Sequence, residues 1–182
     1  AELVDRLNFF LSEKQVAGVP EVFLSYRITE TATLVQWLRR KFADEGIVAY
    51  VGESELQGGG DWTAELNAAI EGCKLFVALV SPTYATIDPT LGSLWTKREF
   101  DYANNISKPI TALWCGGDYP PKALGFQLSS VDPVDTRELA QHEEAFSRCM
   151  NDLRAIKSAS WVSQERQLKQ HHAALTGTPQ DA

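Results

Sequence analysis

LFVALV, residues 75–80, sets six apolar side chains in a row with no polar interruption. Successive side chains of a strand point to opposite faces, so this run suits a strand that is dry on both sides. Two dry faces require helices above and below, which is how a parallel α/β sheet is built. The flanks agree. Upstream, Trp62, Leu66, Ala69, Ile70 and Cys73 fall on one helical face, and Asp61 is a good cap for the start of that helix. Downstream, residues 81–92 form a loop with two prolines, and Ser93 can cap a helix that carries Trp95 and Glu99.

The alternation of strand and helix continues outward. Residues 21–26 (EVFLSY) read as a short strand after Pro20. Leu34, Leu38 and Phe42 then recur every four residues beside Trp37, and Gly46 stops that helix. Residues 47–51 are a second strand, followed by a glycine-rich loop, GESELQGGGD, at 52–61. Residues 109–114 (PITALW) form a fourth strand, 115–128 a loop rich in glycine and proline, and 130–134 a weak fifth strand. Thr136 opens a last helix with apolar positions at Leu139, Phe146, Cys149, Met150, Leu153 and Ile156. Five strands separated by helices predict a parallel sheet in the order 2-1-3-4-5, covered on both faces. Outside this domain, taken as residues 20–159, lie an N-terminal helical extension (1–19) and a C-terminal extension with a short helix and a frayed tail (160–182).

Composition removes several function classes. The 182 residues carry a formal charge of −7, which argues against a nucleic-acid partner, since that needs a clustered basic face. No apolar run approaches the ~20 residues that cross a bilayer, and no signal-peptide pattern is present, so no membrane contact is expected. Cys73, Cys115 and Cys149 are widely spaced, odd in number and outside any CxxC or Cys/His cluster. Buried thiols in a reducing, cytoplasmic compartment fit that pattern, whereas a disulfide framework or a metal site does not.

Trp95 and Glu99 stand four residues apart in LWTKREF, so an indole and a carboxylate share one face of a surface helix, on its cleft side. A carboxylate at the mouth of an α/β sheet can hold a sugar diol and stabilise positive charge on a ribose ring.

VFLSYR (22–27), then LQGGGDW (56–62) followed by LNAAIEGCKLFVALVSPTY (66–84), then LWTKREFDYA (94–103) resemble, in order, three motifs of the Toll/interleukin-1 receptor (TIR) domain. The resemblance covers residues 21 to about 156 and implies a flavodoxin-like sheet. It is nearest to the NAD-cleaving TIR branch, which includes the sterile-alpha-and-TIR-motif protein and bacterial immune TIR proteins. On that resemblance Glu99 corresponds to the catalytic glutamate, and Trp95 to the tryptophan one turn before it. Tyr26 and Arg27 line the cleft, and Trp62 stacks on nicotinamide. NAD+ is then a substrate and no cofactor is needed. The loop holding Leu56, Gly58, Gly59 and Gly60 corresponds to the one that packs on a neighbouring domain, which implies self-association in immune or cell-death signalling. A TIR scaffold that only recruits other TIR domains is the alternative. Two positions depart from the pattern: Ile28 stands where some relatives have a second arginine, and Gly52 where an acid often follows the second strand.

Overall fold

The computed structural model describes residues 20–52, 62–86 and 95–176, leaving out the side chains of Trp62 and of residues 171–176. The expected N-terminal helix, the loop with Leu56, Gly58, Gly59 and Gly60, and the cap at Ser93 lie outside the described residues.

β3 (Leu75–Val80) is central, and none of its six residues is more than 1% exposed. Around it, β1 (Val22–Ser25), β2 (Ala49–Val51), β4 (Ile110–Trp114) and β5 (Val134–Asp135) pair in parallel in the order β2-β1-β3-β4-β5. This is the predicted flavodoxin-like sheet. α1 (Ile28–Asp44) and α5 (His142–Thr176) cover one face, where Leu24, Val77, Leu38, Phe42 and Phe146 share a core. α2 (Trp62–Gly72) and α3 (Trp95–Asn105) cover the other, with Phe23, Ile70, Phe76 and Phe100. Truncating one of these large buried side chains to alanine should cost about 3–5 kcal/mol.

One feature of the second face positions the site. Phe23 is in register with both Tyr50 and Phe76, and each neighbouring ring stacks on it at 5.3 Å between centroids. Phe100 meets Phe76 edge-on at 6.2 Å, so an aromatic row runs from β2 across the sheet to α3.

The structure departs from the sequence reading at the fifth strand, in the loop before it and at both ends of the last helix. The fifth strand is two residues, Val134–Asp135, and begins where the predicted one ends. The stretch read as loop at 115–128 contains a 3-10 turn (Lys122–Leu124) and a short helix, α4 (Gly125–Leu128), because Leu124 and Leu128 lie one turn apart and both bury fully. The last helix begins at His142, since Thr136 is tied to the sheet edge: its N–H and its hydroxyl donate to the Trp114 carbonyl at 2.9 and 3.0 Å. That helix then runs on to Thr176, absorbing the separate C-terminal helix, because no Gly or Pro interrupts it. From Lys157 to Gln170 every residue is exposed, so packing against the sheet ends at Ile156.

Candidate functional site

In a sheet of this order, the crevice at the carboxyl ends of β1 and β3, where the chain changes direction, is the natural ligand site. β1 delivers Ser25 there. Side chains alternate along a strand, so Ser25 follows Phe23 on the α2/α3 face, while Leu24 and Tyr26 belong to the α1/α5 face.

Glu99 comes from α3. The buried positions of that helix are Thr96, Glu99, Phe100 and Ala103, an i, i+3, i+4, i+7 stripe, so the carboxylate occupies a core position and is only 2% exposed. The helix turns its charges outward elsewhere, as in the Lys97–Asp101 pair at 2.6 Å. The expected cleft-side surface carboxylate is therefore a buried one. The Ser25 hydroxyl donates to Glu99 Oε2 at 2.6 Å. Ser25 Oγ is in turn 2.8 Å from the Tyr84 hydroxyl.

Tyr84 is placed by the chain that leaves β3. Ser81-Pro82-Thr83-Tyr84 closes as a turn, with Pro82 at its second position and the Tyr84 N–H donating to the Ser81 carbonyl at 3.0 Å. Three contacts clamp the turn from outside. Glu30 accepts from the Thr83 hydroxyl at 2.8 Å and from its N–H at 3.2 Å. The Ala85 N–H donates to Thr96 Oγ1 at 3.1 Å. Gly117, with φ +72, packs so closely that a Cβ there would stand 2.9 Å from Pro82 Cα. Ala85 is held at φ +61, a left-handed conformation that costs a non-glycine residue about 1 kcal/mol. Burial pushes the Tyr84 phenol well above its ordinary range, and the Glu99 charge adds to that shift.

Gly52 closes the other side. Its N–H donates to the Leu24 carbonyl at 3.3 Å, extending the β1–β2 ladder by one residue. A Cβ at Gly52 would lie 2.9 Å from Glu99 Oε1 and 3.5 Å from Phe23 Cζ. The departure at this position thus has a physical reason: the Glu99 carboxylate fills the space that a side chain at 52 would take.

Of the predicted residues, Trp95 and Glu99 share one face of α3. Trp95 opens that helix, packs partly buried on the α2/α3-side core and carries the Arg98 guanidinium at 5.3 Å from its ring centroid. Tyr26, 4% exposed, packs on the far side of the sheet from Ser25. Arg27 is equally buried at the N-cap of α1, where its carbonyl accepts from Thr31 Oγ1 at 3.1 Å. Trp62 opens α2. The sequence reading missed Ser25, Tyr84 and the role of Gly52.

The TIR domain family model matches residues 22–150. The chain belongs to the TIR domain family. Among solved structures, this TIR domain is similar to that of the Toll-related receptor TRR-2 from Hydra magnipapillata, at 15% identity and TM-score 0.57, over 74% of this chain and 98% of that one. It is also similar to the TIR domains of the activated Roq1 resistosome (18%, TM-score 0.52, covering 72% and 98%). The TIR domain heterodimer of RPS4 and RRS1 gives 14%, TM-score 0.52, over 74% and 96%. Identities this low show the fold alone. No curated protein sequence matches.

Among the described residues of the TIR domain, no group of His, Cys, Asp or Glu could hold a metal ion, and no helix is long and apolar enough to cross a membrane. Cys73 and Cys149 are buried and Cys115 is partly so; all three are free, with burial pushing their thiols up to about 11, about 12 and about 11 respectively.

Proposed function

We propose that this TIR domain is a cytoplasmic NAD+ glycohydrolase in which Glu99 is the catalytic carboxylate. The observation that carries the reading is the position of that carboxylate: buried on α3, at the carboxyl ends of β1 and β2, held by a hydroxyl. A helix that needed only to pack would place an apolar residue there.

The chemistry needs a single carboxylate. The C1′–N bond breaks with its electron pair going to the nicotinamide nitrogen, so a cationic ring leaves as a neutral pyridine and no general acid is required. Positive charge appears on the ribose, where Glu99 stabilises it and accepts hydrogen bonds from the sugar hydroxyls. Water then attacks C1′, giving ADP-ribose and a proton, or an adenine nitrogen closes a cyclic isomer. Trp95 and Trp62 would give aromatic surface to the bases, and the buried Arg27, once uncovered with Glu99, positive charge to the diphosphate. Tyr26, on the far face, anchors the strand end between Ser25 and Arg27.

At 2% exposure Glu99 cannot touch a ribose until the groups over it move. Self-association through the loop holding Leu56, Gly58, Gly59 and Gly60 would supply the free energy for that opening. The TIR domains named for the Roq1 resistosome and the RPS4–RRS1 heterodimer also occur in assemblies. The test is nicotinamide release from NAD+ across a thousandfold dilution of the protein. Specific activity should rise steeply with concentration, and Leu56→Asp should suppress the rise. Constant activity per molecule removes the assembly requirement. Absence of release at every concentration leaves the non-catalytic scaffold.

A further inference from the structure

We infer that Tyr84 is a positioning residue: it orients the Glu99 carboxylate through Ser25, in a one-way chain of hydroxyl hydrogen bonds. The inference builds on the proposed role of Glu99.

A serine hydroxyl has one proton to give. That proton lies on the short 2.6 Å contact to Glu99 Oε2, because a carboxylate can only accept. The 2.8 Å contact between Ser25 and Tyr84 must then run the other way, with the phenol donating to Ser25 Oγ. Tyr84 keeps its proton for this, since burial holds the phenol well above its ordinary range. The order is Tyr84 to Ser25 to Glu99, with the charge at the receiving end. Donation by Tyr84 polarises the Ser25 hydroxyl and strengthens its bond to the carboxylate.

Ser25 is 0% and Tyr84 1% exposed, and their hydrogen bonds run toward Glu99, so in this arrangement they act through the carboxylate. The clamps on the turn, from Glu30, Thr96 and Gly117, fix the phenol against the sheet, so the orientation of the carboxylate is set by the chain leaving β3. With Ser25 on one carboxylate oxygen and Gly52 against the other, both oxygens have a defined place.

The test uses Tyr84→Phe, Ser25→Ala and the double variant in the full chain, assayed for NAD+ cleavage and crystallised. Each single variant should lower kcat roughly tenfold or more with KM within about twofold, since positioning acts on the transition state. The double variant should be no slower than Ser25→Ala, because Tyr84 acts only through Ser25. Additive losses, or a raised KM at unchanged kcat, would overturn the relay while leaving the role of Glu99 standing. If the wild-type protein releases no nicotinamide, the glycohydrolase reading falls, and the crystal structures decide the relay. A Glu99 carboxylate displaced by ~1 Å in Tyr84→Phe as well as in Ser25→Ala supports it. An unmoved carboxylate overturns it.

Discussion

Two carboxylates mark the two ends of the first strand, and they are held in opposite ways. Glu21, at the entrance to β1, is answered by two ammonium groups, Lys74 at 2.8 Å and Lys157 at 2.6 Å, and its side chain remains 23% exposed. Glu99, at the exit, is 2% exposed and takes its 2.6 Å hydrogen bond from a neutral hydroxyl. The entrance pairs stitch β3 and α5 to β1 and are worth little individually, about 0–1 kcal/mol each. A carboxylate sunk into the helix–sheet layer gives up far more hydration than one left at the surface. The difference separates a charge left at the rim to pair from one carried into the core.

The largest separation is expected at Trp95, one turn before Glu99. Trp95→Ala removes a partly buried indole from the α2/α3-side core, so it should cost about 2 kcal/mol and also lower turnover at least ~tenfold. Thermal unfolding and nicotinamide release on the same sample read both; loss of stability with full activity would make Trp95 a core anchor only.

Gly52→Ala is next. The new methyl would stand 2.9 Å from Glu99 Oε1, so the carboxylate must shift, and turnover should fall roughly tenfold while the melting temperature stays within ~3 °C. Full activity in this variant would show that the site tolerates a displaced carboxylate.

Glu21→Gln should do the reverse, leaving turnover intact and costing at most ~1 kcal/mol. Burial alone would raise the Glu21 pKa, but hydrogen bonds and charges from Lys157 and Lys74 outweigh it and hold the carboxyl below its ordinary 4.5. A lowered folded-state pKa adds stability that is present above the unfolded value and lost as pH falls through the folded one. The melting-temperature gap between wild type and Glu21→Gln should therefore close as pH drops below 4.5. A gap that widens in acid would contradict the assigned pairs.

The smallest effect is expected at Ser81, whose buried hydroxyl makes no hydrogen bond in the turn that carries Tyr84. Ser81→Ala should be neutral or stabilise by up to ~1 kcal/mol in a denaturant titration. A clear loss would mean that hydroxyl has a partner.

Most of the sheet was legible because burial writes itself into period and run length. LFVALV is β3 to the residue, and Leu34, Leu38 and Phe42 mark the inner stripe of α1. Where apolar content thins, the reading slips: β5 has two residues, and its pairing partner β4, distant in sequence, sets its position. At the site, Trp95 and Glu99 were visible as an i, i+4 pair, but the burial of Glu99 was not drawn from it. The signal was present: Thr96, Glu99, Phe100 and Ala103 make a core stripe with a carboxylate in it. Ser25 could also have been found, as the polar residue one step beyond Phe23 on the same strand face. Tyr84 and Gly52 could not, since their contacts with Ser25 and Glu99 join residues 59 positions apart in one case and two separate elements in the other.

The most direct test of Glu99 as the catalytic carboxylate is nicotinamide release from NAD+ by concentrated Glu99→Gln, beside wild type. Glutamine keeps the shape and an oxygen for Ser25, so the fold should hold. Turnover should fall at least ~100-fold, the scale expected when an electrostatic group is removed from a transition state. Wild-type turnover in the folded Glu99→Gln protein would contradict it.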